Sequence, residues 1–273
     1  MAFPQGPGYD VGVSQGTARH KPVLLVPISA EDFARARRAL VFKWLGVGLL
    51  LVLSGVLMFQ RLASSHDGQK ALNDGEQMLR VGRYAEAITA FDLALAADRG
   101  LTNAYLFRAR TYAAMNQTEA AIRDFTKVIQ LQPGSAGAFV ERAAVYFGAE
   151  EYPAVIADCS EALQRDPELS YAYMLRGMAE RRKGNISRSL EDFDRAVELA
   201  PGMETYFQRA ATYQSLGEHP KAMADLDQVV AISPSSPIGY LARARSREAL
   251  GDVPGARSDR EAGRQLEKPP ADR

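Results

Sequence analysis

Five Arg–Asp couples are the feature of this sequence that could most easily be taken for reactive chemistry. In each couple an arginine precedes an aspartate by 16 residues: Arg108 and Asp124, Arg142 and Asp158, Arg176 and Asp192, Arg209 and Asp225, Arg243 and Asp259. A catalytic site needs one assembly, whereas a structural bond recurs with the unit that contains it. We therefore predict ion pairs, formed either between two helices of one unit or between neighbouring units.

Other reactive side chains are few. Cys159 is the single cysteine, so no internal disulfide can form, and its position predicts a small buried hydrophobic residue. His219, Ser215 and Asp225 or Asp227 could be imagined as a catalytic triad, but His219 is better explained as the first residue of a helix. The sequence has no zinc spacing, no phosphate-binding loop and no nucleophile elbow. We predict no catalytic residue, no metal and no cofactor, and hence no enzyme.

The couples belong to a longer pattern that is repeated between Leu101 and Pro234. Its clearest copy consists of Tyr105, Arg108, Ala109, Tyr112, Ala121, Ile122, Phe125 and Pro133. Three further copies follow at steps of 34, 34 and 33 residues. This spacing of aromatic residues, small residues and proline resembles the tetratricopeptide repeat, or TPR. The resemblance implies an all-α fold, a TPR α-solenoid in which helix-turn-helix repeats stack into a right-handed superhelix.

The register predicts a TPR domain over residues 68–268. Its six repeats are expected at 68–101, 102–135, 136–169, 170–202, 203–236 and 237–268, the last being a polar cap. Each repeat should contain a helix A and a helix B. Glycine or Asn116 ends helix A in five copies, but Glu150 holds that position in the third, so we expect a different turn there.

A strongly apolar segment precedes the repeats. Ala39 to Phe59 is apolar except for Lys43 and Ser54, and a helix of this length would span about 31 Å, the thickness of bilayer hydrocarbon. We predict a flexible tail at 1–28, a helix at 29–61 containing one transmembrane span at about 39–59, a linker at 62–67 and a tail at 269–273. A buried soluble helix and a signal peptide cleaved near Ala63-Ser64-Ser65 are the alternatives.

Flanking charge predicts the orientation of this span. Arg35, Arg37, Arg38 and Lys43 precede it, whereas only Arg61 and Lys70 follow closely. The positive-inside rule then places the N-terminus in the cytoplasm and the repeats across the membrane. The high alanine and arginine content favours a bacterial source. We therefore expect a single-pass protein of the bacterial inner membrane with a periplasmic TPR domain.

The resemblance implies that function lies in the concave groove lined by helices A. The predicted partner-binding residues are Leu79, Phe107, Arg110, Phe147, Met174, Met178, Arg181, Phe207 and Arg245. An apolar groove with scattered arginines suits a protein or peptide ligand. A formal net charge of +0 argues against nucleic acid. We expect a membrane-tethered scaffold for envelope complex assembly; the alternative is a regulatory or accessory subunit of a membrane-associated enzyme. The sequence does not indicate an oligomeric state.

Overall fold

The computed structural model describes residues 31, 50, 52–56, 58 and 66–267. The chain divides into two units, Met1–Phe59 and Gln60–Arg273. The predicted tails at 1–28 and 269–273 lie outside the described residues, and so does most of the predicted transmembrane span. Among the residues that are described, no helix is both long enough and apolar enough to cross a membrane.

Residues 66–267 form helix-turn-helix pairs. In chain order they are α1 (66–80) and α2 (Tyr84–Ala97), α3 (Thr102–Ala114) and α4 (Thr118–Leu131), α5 (Ala136–Gly148) and α6 (Tyr152–Arg165), α7 (Ser170–Arg182) and α8 (Ile186–Leu199), α9 (Met203–Ser215) and α10 (His219–Ile232), α11 (Pro237–Ala249) and α12 (Val253–Glu267). The last two residues of the predicted linker, 66 and 67, are already helical. The connection 200–202 is one residue shorter than its counterparts, which accounts for the step of 33 residues.

Large apolar side chains of helices B fill the space between the helices. Phe91, Phe125, Phe193 and Leu226 occupy the same repeat position and are at most 1% exposed. Small residues of helix A allow the close approach: a Cβ added to Gly177 would lie 3.0 Å from Phe193 Cε1. Because an isolated pair would leave these side chains in water, each repeat depends on its neighbours for burial.

The turn after each helix A has one conformation throughout the array. Gly82, Gly184, Gly217 and Gly251 have φ between 73° and 84°, and Asn116 has φ 56°. Glu150 has φ 60°, and the amide of Glu151 donates to the Tyr146 carbonyl as that of Gln117 does to Tyr112. The expectation of a different turn at Glu150 is therefore wrong. The helix-terminal hydrogen bonds hold this turn even though a left-handed conformation is unfavourable for a residue with a Cβ.

All five Arg–Asp couples form ion pairs, as predicted. In each of them the arginine Nε and Nη2 donate to the two carboxylate oxygens at 2.7–2.9 Å, joining helices A and B of one repeat. The aspartates are buried, with at most 6% of each residue exposed. The hydrogen bonds to Asp158 raise the pKa of Arg142, although burial opposes the shift.

The remaining nitrogen of each arginine reaches the preceding repeat. Nη1 donates to a side chain of the preceding helix B, which is Asp92, Thr126, Ser160, Asp194 or Asp227 in turn. Of the two predicted alternatives, the couples therefore follow the first, pairing within one repeat. The same guanidinium has enough donors for a second partner in the preceding repeat, which is a carboxylate in three cases and a hydroxyl in two. Each arginine fixes a helix pair and also joins it to its neighbour.

Candidate functional site

Helices A lie side by side along the solenoid. In the central part, α7 contacts both α5 and α9, and α9 also contacts α11. Since helices B occupy the other layer, the helices A present one continuous surface, which we call the helix-A face.

Polar side chains join consecutive helices on the helix-A face. Arg110 on α3 donates twice to the Glu141 carboxylate on α5, at 2.6 and 2.5 Å. Its hydrogen bonds with Glu141 raise the pKa of Arg110, and burial acts in the opposite direction. These two arginine donors are already occupied, so Arg110 has less capacity for an acidic ligand than the sequence suggested.

A second polar connection lies further along the helix-A face. Arg181 on α7 donates to Gln208 Oε1 at 2.7 Å and to Thr212 Oγ1 at 3.2 Å, both on α9. Burial lowers the pKa of Arg181. From α9, Gln214 donates to Ser246 Oγ on α11 at 2.7 Å. The repeat pattern did not predict these partners, although their separations of 27–32 residues place them on adjacent helices A.

Most predicted apolar site residues are only partly accessible. The half-buried members are Leu79, Phe107, Phe147, Met178 and Phe207. The ring of Phe107 stacks on Phe91 with centroids 6.2 Å apart, and Phe147 meets Tyr152 edge to face at 5.7 Å. These side chains therefore support the core as well as the surface.

Met174 differs from the expectation that it lines the groove. It is 8% exposed and packs with Phe193 and Ala196, so it is a core residue. Met174 holds the same repeat position as Phe207, which is half-buried, but neighbouring helices cover Met174. Arg245 lies at the other extreme: it is exposed on α11 and forms no ion pair or hydrogen bond with another part of 66–267.

A cavity of about 370 Å³ lies between the second and third repeats. Its wall consists of Arg110, Ala113, Asn116, Thr118, Phe125, Glu141, Ala144, Val145 and Gly148. Helices α3, α4 and α5 and the turn after α3 thus all contribute. The Arg110–Glu141 pair forms the charged part of the wall, Asn116 and Thr118 add neutral polar groups, and the remaining residues are small or apolar.

The imagined triad does not assemble. Both carboxylate oxygens of Asp225 accept hydrogen bonds from Arg209, and Ser215 donates to the Thr212 carbonyl at 2.7 Å. His219 Nδ1 is buried and has no hydrogen-bond partner. These interactions leave no relay between serine, histidine and aspartate.

Cys159 is fully buried, as predicted. Burial raises the pKa of its thiol to about 12, which keeps it protonated near neutral pH. Within the described part of the chain, no cluster of histidine, cysteine and carboxylate side chains could hold a metal ion.

Comparison with known proteins identifies the repeats. One tetratricopeptide repeat family model matches residues 102–135 and 204–236, and another matches 156–204. The chain therefore contains tetratricopeptide repeats, and its described part from 66 to 267 is an all-α solenoid of the TPR kind.

Curated relatives share only a segment with this chain. DnaJ homolog subfamily C member 3 from Gallus gallus is 39% identical over 64 residues, which are 23% of this chain and 13% of that protein. The protein of the same name from Rattus norvegicus is 32% identical over 103 residues, covering 38% of this chain and 20% of its own length. The chain thus spans a fifth or less of these relatives.

Solved structures share the fold over a larger part of the chain. PilW, a widely conserved type IV pilus biogenesis factor, is similar with a TM-score of 0.65 and 19% identity over 73% of this chain and 93% of PilW. MamA is similar with a TM-score of 0.55 and 20% identity, covering 61% and 91%. YrrB, a TPR protein with an unusual peptide-binding site, has a TM-score of 0.52 and 19% identity, covering 62% and 88%.

Proposed function

We propose that this chain is a scaffold or adaptor that binds a protein or peptide partner on its helix-A face. The observation that carries the proposal is the continuity of this face, where consecutive helices A are joined by Arg110–Glu141, Arg181–Gln208 and Gln214–Ser246. A preorganised surface loses little conformational entropy when it binds an extended ligand. The peptide-binding site of YrrB, on the same fold, supports a peptide ligand.

We further propose that residues 39–59 tether the scaffold to a bacterial inner membrane, with the TPR domain in the periplasm. The support is the apolar segment from Ala39 to Phe59 and the excess of basic residues before it. Assembly of an envelope complex is the role that fits this placement. PilW, a pilus biogenesis factor with the same fold, is consistent with it.

The membrane topology can be tested with reporters fused after Arg273 in a bacterial host. We expect a reporter that is active only in the periplasm to be active, because the positive charges before Trp44 retain the N-terminus in the cytoplasm. A matched fusion to a reporter that is active only in the cytoplasm should be silent. Activity of the cytoplasmic reporter alone would show that the orientation is wrong.

Charge on the helix-A face gives the partner its expected chemistry. Arg182 and Arg245 are exposed and make no ion pair within 66–267, whereas Arg110 and Arg181 are already engaged. A ligand with acidic side chains, or the C-terminal end of a helix, would therefore be recognised mainly at the C-terminal end of α7 and along α11.

Partner binding can be tested by cross-linking the full-length chain in native membranes, followed by affinity measurement with the captured protein. We expect Met178→Ala to weaken binding by about tenfold, because a central apolar anchor of an interface contributes strongly to affinity. Arg245→Gln should mainly slow association and reduce its salt dependence. Arg257→Gln is the matched control, since Arg257 is exposed on α12, a helix B.

An unchanged affinity in both folded variants would show that the helix-A face is not the binding site. Turnover by the purified chain alone would instead favour the enzyme alternative. Circular dichroism of each variant shows whether its helical content is preserved, so that lost binding is not confused with lost folding.

A further inference from the structure

The cavity between the second and third repeats exists because one repeat position is unusually small. Position 113 is alanine, whereas the same position in the other repeats holds Leu79, Phe147, Arg181, Gln214 or Glu248. In the following repeats the larger side chain makes a contact. Phe147 meets Tyr152 of its own repeat, and Arg181 and Gln214 reach the next helix A. Ala113 cannot do so, and the space it leaves is part of the cavity.

A second position in this repeat, 118, also holds a smaller residue than most of its equivalents. Thr118 begins α4, where the other helices B begin with Tyr84, Tyr152, Ile186, His219 or Val253. One repeat later, the residues equivalent to Ala113 and Thr118 are Phe147 and Tyr152, whose rings meet at 5.7 Å. The cavity therefore corresponds to a place that an aromatic pair occupies in the next repeat.

The size and charge of the cavity suit a neutral aromatic ring. The pocket is partly open to solvent and has a volume of about 370 Å³, which leaves room for a ring, since an enclosed apolar cavity of about 150 Å³ can hold benzene. Phe125, Ala113 and Val145 supply apolar contacts in its wall. Arg110 and Glu141 carry opposite charges, so the wall attracts neither anions nor cations strongly. An aromatic ring presents a negative face and a positive edge, which can complement such a pair.

We propose that this cavity binds an aromatic side chain of the partner, in the place that Phe147 and Tyr152 fill one repeat later. The source of that side chain rests on the proposed scaffold function. The occupancy itself does not, because a small aromatic probe tests it directly.

The experiment measures binding of N-acetyl-phenylalanine amide and N-acetyl-leucine amide to the full 273-residue chain by saturation-transfer NMR. We expect the aromatic probe to bind more tightly than the aliphatic one by about fivefold or more. Ala113→Phe and, separately, Thr118→Tyr should each reduce its affinity by about tenfold or more, because each refills the space. The neighbouring position supplies the matched control: Ala114 is exposed, and Ala114→Phe should bind as the wild type does.

If either substitution disturbs folding, the proposal can still be tested on the wild-type protein. Methyl resonances of Ala113, Ala144 and Val145 should shift on addition of the aromatic probe, since these side chains line the cavity. Absence of those shifts, equal binding of both probes, or full binding by folded Ala113→Phe and Thr118→Tyr would overturn the proposal. Probe binding without any captured partner would contradict the scaffold function alone, and a captured partner without probe binding would contradict the cavity proposal alone.

Discussion

Replacing Phe193 with alanine should lower the free energy of unfolding by about 3–5 kcal/mol, the range for truncating a buried aromatic residue. Phe193 is 0% exposed and lies against Gly177 and Met174, so the neighbouring helices cannot collapse far into the space left behind. Urea denaturation followed by circular dichroism measures this loss. Because repeats interact only with their neighbours, the central defect should also broaden or divide the unfolding transition.

Phe147→Ala is the matched control for this prediction. It removes the same atoms from a side chain that is half-buried and shares an edge-to-face contact with Tyr152. Its cost should be clearly smaller, because less apolar area leaves water when this side chain folds into place. Equal losses in the two variants would contradict the assignment of Phe193 to the structural core.

Removing one carboxylate from the Arg–Asp array should have the next largest effect. Asp158→Ala leaves Arg142 without its two-pronged partner, and a buried charge that loses its partner typically costs 3–5 kcal/mol. The Arg142 side chain is 16% exposed, so water can partly solvate its charge after the substitution. We therefore expect a smaller fall in the free energy of unfolding, of about 2–3 kcal/mol. The contact from Arg142 to Thr126 should also weaken, which loosens the join to the preceding repeat.

Glu198→Ala provides the comparison on the surface. Arg195 and Glu198 also form a short ion pair, at 2.8 Å, but their side chains are 46% and 65% exposed. Water and salt screen an exposed pair, so this variant should be close to the wild type in stability. If Asp158→Ala lowered the free energy of unfolding no more than Glu198→Ala does, the Arg–Asp pairs would not contribute to the stability of the fold.

The helical framework was determined by the sequence itself. The repeat of Tyr105, Ala109 and Phe125 at nearly constant steps predicted a helix A and a helix B within 102–135, and α3 and α4 lie there. The separation of 16 residues likewise predicted the Arg–Asp pairs. Such features depend on neighbours within one repeat or the next, and their spacing along the chain is therefore the same as their spacing in the fold.

The turn at Glu150 shows where local preference fails. A glutamate rarely adopts a left-handed conformation, so another turn was expected, but the helices on both sides impose φ 60°. Tertiary packing similarly decided that Met174 is covered while Met178 at the next turn is half-buried, although both lie on helix A. Burial depends on how neighbouring helices approach, and the pattern of a single helix does not contain that distance.

The candidate site depends most on tertiary structure. Arg110 and Arg181 looked like free cations in the sequence, but Glu141 and Gln208 on the next helices occupy their donors. The cavity arises where Ala113 and Thr118 of the second repeat are both small, and residues of α5 in the third repeat complete its wall. The sequence contains the two small residues, but the repeat pattern marked this copy as the clearest one and did not indicate a departure. Only the packed structure decided that this departure leaves a space, because a missing side chain can also be compensated by closer approach of the helices.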